Sequence, residues 1–290
     1  MIFSQASIFA QTALLAIFLL VLTGCGGGNS GFPPVVTGFQ AKSVQYSRTA
    51  VIYIGGNDLR STMTVDTGGA CSNASFASSS STSMLVLNCT VTQVGDMPLT
   101  VKDAAGQVVW QTTVVVPKPQ VTLTTSSGAI TLELDPAKAP ITVNNFLSYV
   151  NSGFYANTLF HRVVPGFVVQ AGGFNTGMVA KSELSPPIVL ESNKGLSNLR
   201  ATVAMARLGD DPKDPVRSAN SATSQFFINL LDNTFLDYQD AERPGYAVFG
   251  TVVQGMSVAD AMATLPTSTV NGFANVPLTE VTITSATQTK

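Results

Sequence analysis

Histidine and tryptophan each occur once in these 290 residues, and cysteine three times. A single His leaves no room for a multi-His metal site, and the absence of a Gly-x-Ser-x-Gly elbow sets aside a serine hydrolase built on His161. Charge is also scarce. Asp, Glu, Lys and Arg make up 11% of the chain and the formal net charge is -2, against roughly 25% charged residues in an ordinary soluble domain. No basic footprint for nucleic acid is present. What the chain has in quantity is Thr, Val, Ser and Gly with few long helical patterns, a composition that favours β structure, over a length that allows about two domains.

Ala13 to Leu22 is unbroken apolar sequence, too short to span a bilayer comfortably and suited to the hydrophobic region of a secretion signal. No Lys or Arg precedes Lys42, so the usual positive flank is missing. Leu22-Thr23-Gly24-Cys25 resembles a bacterial lipoprotein processing box. The resemblance implies a signal peptide over 1–24, lipidation of Cys25, a flexible Gly-rich tether over 25–32, and a lipid-anchored protein facing the periplasm. Gly26 after Cys25 favours the outer membrane by the same analogy. An uncleaved signal anchor is the alternative.

Residues 33–117 alternate in short β-prone runs: 50–54, 61–65, 84–87, 99–101 and 108–115. Turn signals at Gly55-Gly56-Asn57-Asp58, Gly68-Gly69 and Asp103-Ala104-Ala105-Gly106 separate them. That spacing predicts a small antiparallel sandwich, immunoglobulin-like in general shape, with no catalytic constellation. Cys71 and Cys89 are its only cysteines. An exported compartment permits them to bond, although two buried thiols are the alternative. Pro117-Lys118-Pro119 marks a boundary, because two prolines around one residue stop sheet pairing.

Residues 118–290 begin with a hairpin, Val121–Thr124 and Ile130–Leu134 joined by Ser126-Ser127-Gly128. Pro140 then opens a helix with Val143, Phe146, Leu147 and Val150 on one stripe and Gly153 as its stop. A second, shorter helix is expected over 257–264, capped by Ser257, and a last strand at 281–284. Between these lies Leu159 to Phe174, two β-branched and aromatic runs around Pro165-Gly166, which reads as strand, turn, strand. A three-residue turn, Pro165 to Phe167, places Arg162 opposite Gln170 on one face; a two-residue turn places it opposite Val169.

Phe160-His161-Arg162-Val163-Val164-Pro165-Gly166-Phe167, followed by Gln170-Ala171-Gly172-Gly173, resembles the signature hairpin of the cyclophilins, the peptidyl-prolyl cis-trans isomerases. Ala204-Met205-Ala206, Ser224-Gln225-Phe226-Phe227-Ile228-Asn229, Phe235-Leu236-Asp237 and Tyr246-Ala247-Val248-Phe249-Gly250 continue the match in order. The resemblance covers about Pro119 to the C-terminus. It implies a mainly β fold, a closed antiparallel barrel with two capping helices, preceded here by the sandwich. It also implies a proline-peptide substrate and no cofactor or metal.

Arg162 is the catalytic residue this implies, because a permanent cation can donate to a proline nitrogen that regains its lone pair as the amide twists. Gln170 is expected to steady Arg162 and, with Gln225, to hydrogen-bond the substrate backbone. Phe167, Val168, Phe227, Phe235 and Leu236 are expected to line an apolar proline pocket, with Tyr246 closing it and the main chain around Ala206 and Arg207 pairing with the peptide. Phe235 replaces a Trp and Tyr246 a His found in eukaryotic relatives, which implies weak cyclosporin binding. His161 alternates away from Arg162 and is expected to be structural. The long connection 208–222 is expected to border the groove; a solvated insertion is the alternative. The chain is expected to be a monomer whose partners are proline-containing polypeptides and, through Cys25, a membrane. A proline-peptide-binding chaperone or scaffold is the rival function.

Overall fold

The computed structural model describes residues 32–182 and 184–290, of which Pro34–Lys290 forms one compact unit. The expected signal segment, Cys25 and most of the tether lie outside the described residues.

Seven strands come first: β1 (Val35–Lys42), β2 (Thr49–Asn57), β3 (Thr64–Asp66), β4 (Cys71–Phe76), β5 (Met84–Val91), β6 (Gly95–Lys102) and β7 (Val108–Val116). They form two antiparallel sheets in the orders β1-β2-β5-β4 and β3-β6-β7, the strand order of a seven-stranded immunoglobulin-type sandwich. The period-2 alternation of each strand turns one face inward. Ile52 and Ile54 of β2 and Leu85 and Leu87 of β5 meet Leu99 and Val101 of β6, all fully buried. Strands β1 and β4 are not foreseen from sequence. None of the eight β1 residues is buried, six being exposed and two half-buried, because the strand sits at a sheet edge, and β4 is Cys-Ser-Asn-Ala-Ser-Phe, mostly small and polar. The disulfide is formed, Cys71 to Cys89. It joins adjacent strands of one sheet instead of bridging the two sheets.

The remaining strands are β8 (Gln120–Thr125), β9 (Gly128–Leu134), β10 (Thr158–Val164), β11 (Val168–Asn175), β12 (Val179–Ala180), β13 (Thr202–Met205), β14 (Phe226–Asn229), β15 (Val248–Gln254), β16 (Thr267–Val270), β17 (Phe273–Pro277) and β18 (Thr282–Gln288). The ring β10-β18-β8-β9-β15-β13-β14-β11 closes on itself through β10–β11, every pairing antiparallel, so no long edge is left open on this barrel. β12 extends β11 at one side, and β16 and β17 form a separate hairpin.

Helix α1 (Pro140–Asn151) lies against the barrel with Val143, Phe146, Leu147 and Val150 buried, as its stripe predicts. Pro140 occupies the first turn, where a missing N–H costs nothing. The residue before it supplies no side-chain cap, and a distant carboxylate does so instead: buried Glu191 accepts from the N–H groups of Ile141 and Thr142 at 3.2 and 2.8 Å and from Thr142 Oγ1 at 2.7 Å. The 208–222 connection is not wholly irregular. It holds a short helix, α2 (Pro215–Ala219), capped by Asp214, so there are three α-helices among the described residues where two were expected. The last, α3 (Met256–Met262), begins one residue before Ser257, which is therefore not its cap; Gly255 holds that position in a left-handed conformation.

The two β regions also touch. The β1–β2 loop carries Tyr46 into the barrel's apolar cluster, and Gln288 Nε2 of β18 donates to the Tyr46 carbonyl at 2.9 Å.

Candidate functional site

The site grows from strands that are apolar on both faces. On β11, Val169 and Ala171 point into the barrel; on β14 Phe226 and Ile228 do, and on β13 Val203 and Met205. The alternate residues Val168, Phe227 and Ala204 point the other way, yet they too are buried, as a separate cluster with Val248. Phe167, Ala206, Leu236 and Tyr246 pack around that outer cluster.

These side chains wall a hollow of about 230 Å³. Phe167, Val168, Phe227, Leu236 and Tyr246 give it apolar sides, and Arg162, Gln170, Ala206 and Arg207 stand at its polar edge. The hairpin register is the one a three-residue turn requires: Val164 pairs with Val168 and Arg162 with Gln170. The Phe167 N–H closes the turn on Val164 O at 3.0 Å, and Gly166 takes φ +70°. The guanidinium carbon of Arg162 lies 5.7 Å from the centroid of the Phe167 ring. Among the described residues no carboxylate pairs with Arg162.

Two expectations need correcting, those for Gln170 and Phe235. Gln170 does not hold Arg162; its Nε2 donates to Gln225 Oε1 at 3.0 Å. Gln225 reaches that far because Gly173 lacks a Cβ, which would fall 2.5 Å from the Gln225 amide carbon. Gln225, expected beside the peptide backbone and not in the proline pocket, lines an adjoining hollow of about 300 Å³ with Gln170, Ala206, Arg207, Leu208 and Ser221. Phe235 is not a wall of either. It is 64% exposed, and its ring lies nearly parallel to Phe167 at 5.8 Å. Phe235 and Leu236 share a 3-10 turn, Thr234–Leu236, in which successive side chains point about 120° apart, so turning Leu236 inward sends Phe235 to the rim.

His161 is buried edge-on to Phe174 at 4.7 Å, with Nδ1 unpartnered. Burial, the leading cause, pushes its pKa down to about 4, so the ring is neutral at ordinary pH. It is a packing residue, as its alternation from Arg162 implies. For Arg207, the side chain is buried and only its main chain borders the hollows.

The walls are held from behind by a chain of buried amides that sequence reasoning misses. Asn233 Nδ2 donates to the Phe167 carbonyl at 3.0 Å and to Asn229 Oδ1 at 2.8 Å. Asn229 Nδ2 donates to Asn198 Oδ1 at 3.2 Å, and Asn198 Nδ2 reaches Asp237 Oδ1 at 2.9 Å and the Leu236 carbonyl at 3.2 Å. Phe167 and Leu236, distant in sequence, are thereby fixed by one satisfied polar network. The only sequence signal was an Asn ending the apolar run Phe226-Phe227-Ile228-Asn229.

The cyclophilin type peptidyl-prolyl cis-trans isomerase/CLD family model matches residues 120–288. Peptidyl-prolyl cis-trans isomerase A of Dickeya dadantii is 52% identical over 166 residues, 57% of this chain and 82% of that protein. The cyp18 isomerase of Streptomyces antibioticus is 48% identical over 57% of this chain and 96% of its own length. Isomerase B of Escherichia coli is 44% identical over 58% of this chain and 98% of its own. With the closed eight-stranded barrel, the outward apolar hollow and the arginine beside it, these matches show that the chain belongs to the cyclophilin-type peptidyl-prolyl cis-trans isomerases.

Proposed function

We propose that this chain accelerates cis–trans isomerisation of X-Pro bonds, with the proline ring seated in the hollow and Arg162 as the catalytic residue. The barrier to be lowered is about 20 kcal/mol, set by amide resonance. As the bond twists, the proline nitrogen regains a lone pair that a planar amide lacks. A guanidinium N–H directed at that nitrogen is therefore bound better by the transition state than by either planar isomer, and Arg keeps its charge at any working pH. Phe167, Phe227 and Leu236 keep the ring in a dry site, where the interaction is stronger than in water. The main chain at Ala206 and Arg207 and the paired amides of Gln170 and Gln225 border the groove on the side where the peptide backbone would run. The observation carrying this reading is an arginine beside an apolar hollow with no carboxylate paired to it among the described residues.

The substrates we propose are proline-containing segments of exported or unfolded polypeptides, met by a protein held to the envelope through a lipid on Cys25, facing the periplasm. The support is the apolar run Ala13–Leu22 and the Leu22-Thr23-Gly24-Cys25 box. Mass spectrometry of the mature N-terminus tests that location: a diacylglyceryl mass on Cys25 is expected, and an intact Met1 end overturns it. For the chemistry, Arg162→Ala is expected to lower kcat/KM by about 10²–10³ in a proline-isomer-coupled assay. Turnover close to wild type in that variant would leave a peptide-binding chaperone as the better reading.

A further inference from the structure

The Arg207 side chain is 1% exposed, although its main chain borders the peptide groove. Burying a guanidinium is costly unless its charge is paired and its donors are satisfied. Here both conditions hold. Nη1 lies 2.8 Å from Asp210 Oδ1 and donates to the Leu208 carbonyl at 2.8 Å; Nε donates to the Gly245 carbonyl at 2.7 Å. The guanidinium carbon lies 4.7 Å from the centre of the Tyr246 ring. One side chain thus joins two segments far apart in sequence: the start of the 208–222 connection and the Gly245–Tyr246 wall.

That wall is part of the proline hollow. Tyr246 meets Phe227 edge-on at 5.6 Å, and its N–H donates to the Leu236 carbonyl at 2.9 Å. Gly245 has φ +65°, and a Cβ there would lie 2.5 Å from Leu236 O and 2.6 Å from the Asp237 carbonyl carbon, so the turn can close only around glycine. The chain is pressed against Leu236 on one side and held by Arg207 on the other.

We propose that Arg207 is a positioning residue for the proline site: it holds the Tyr246 wall against the Ala206–Leu208 edge, and through Asp210 it makes the 208–222 connection part of the peptide-binding surface. This rests on the isomerase reading above. The wall contacts the proline ring equally in planar and twisted peptides, so its loss weakens both and appears in KM, whereas kcat, set by Arg162, is held. Lysine can keep the ion pair with Asp210. It cannot also lie flat on the ring and fork to two carbonyls.

The test is steady-state kinetics on the full chain with a short proline peptide, alongside calorimetric affinity for the same peptide. Arg207→Met is expected to raise KM about tenfold with kcat within about twofold, Arg207→Lys to recover part of that loss, and Asp210→Asn to raise KM about threefold. An Arg207→Met protein of unchanged KM and melting temperature overturns the inference, as does a fall in kcat at constant KM. Should Arg207→Met not fold, unchanged KM in both Arg207→Lys and Asp210→Asn overturns it equally. A wild-type chain without turnover overturns the isomerase reading instead, and the inference then stands or falls on whether calorimetric affinity drops about tenfold in Arg207→Met.

Discussion

The sandwich of β1–β7 and the barrel of β8–β18 are both antiparallel, yet they use their second faces differently. In the sandwich each sheet buries one face against the other, and the outward positions of β2, such as Val51 and Tyr53, are only half-buried. In the barrel, β11, β13 and β14 fill the interior with one face and build a second apolar cluster with the other. The difference shows where a binding site is available. An outer face that is itself apolar needs a cover. Around Phe227 and Val168 the cover is incomplete, a hollow of about 230 Å³ with a cation at its edge. Among the described residues the outer positions of the sandwich, Val51 and Tyr53 included, gather into no second buried cluster of this kind.

Replacing Arg162 attacks the comparison at its strongest point. Arg162→Ala is expected to lower kcat/KM by about 10²–10³, the loss seen when one pre-aimed donor is removed from a site. Because the residue is half-buried and paired with no carboxylate among the described residues, the melting temperature is expected to stay within about 2 °C. A stability loss matching the activity loss would make Arg162 a structural residue.

The sandwich predicts the opposite pattern. Replacing both cysteines by Ser opens a loop between residues separated by 18 positions, which lowers stability by about 3 kcal/mol in urea unfolding. Activity under native conditions is expected to be unchanged. A fall in kcat/KM would mean that the sandwich, which reaches the barrel core through Tyr46, also tunes the site.

His161 sharpens the contrast between burial and chemistry. Its folded pKa of about 4 lies below the ordinary 6.5, so the unfolded chain takes up the proton first and stability present above pH 6.5 is lost as pH falls toward 4. Between pH 7 and pH 5 that amounts to about 2 kcal/mol. His161→Phe is expected to remove this part of the acid sensitivity, measured by urea midpoints at the two pH values. The kcat/KM profile of the folded wild-type enzyme is expected to be flat over the same range. A titration near pH 6.5 in activity would return the ring to catalysis.

What the sequence made legible follows from how local each feature is. The hairpin needs only Pro165-Gly166 and the alternation on either side of it, and α1 only its own apolar stripe and Pro140, but neither sets the turn length that decides whether Gln170 or Val169 stands opposite Arg162. The capping of α1 by Glu191 and the Asn198–Asn229–Asn233 chain join residues that only the closed barrel brings together, so no spacing announces them. Alternation sets the face of Gln170 but not its partner, since the choice between Arg162 and Gln225 is decided by room that Gly173 leaves on the same strand. Edge strand β1 failed for the converse reason: its alternation is weak because neither face is deeply buried.

The smallest expected effect concerns Phe235, where family resemblance and geometry part. Were it a pocket wall, its removal would cost as much as that of Phe227, which is 4% exposed at the floor. At 64% exposure its ring touches the site only by lying on Phe167, a contact worth about 0.5–1.5 kcal/mol in buried pairs and less in water. Phe235→Ala is therefore expected to change kcat/KM by less than about threefold, while Phe227→Ala raises KM at least tenfold for the same peptide. Equal losses in the two variants would mean that Phe235 swings inward over a bound proline, converting the rim into a lid and extending the barrel's second apolar face beyond the hollow that the free protein presents.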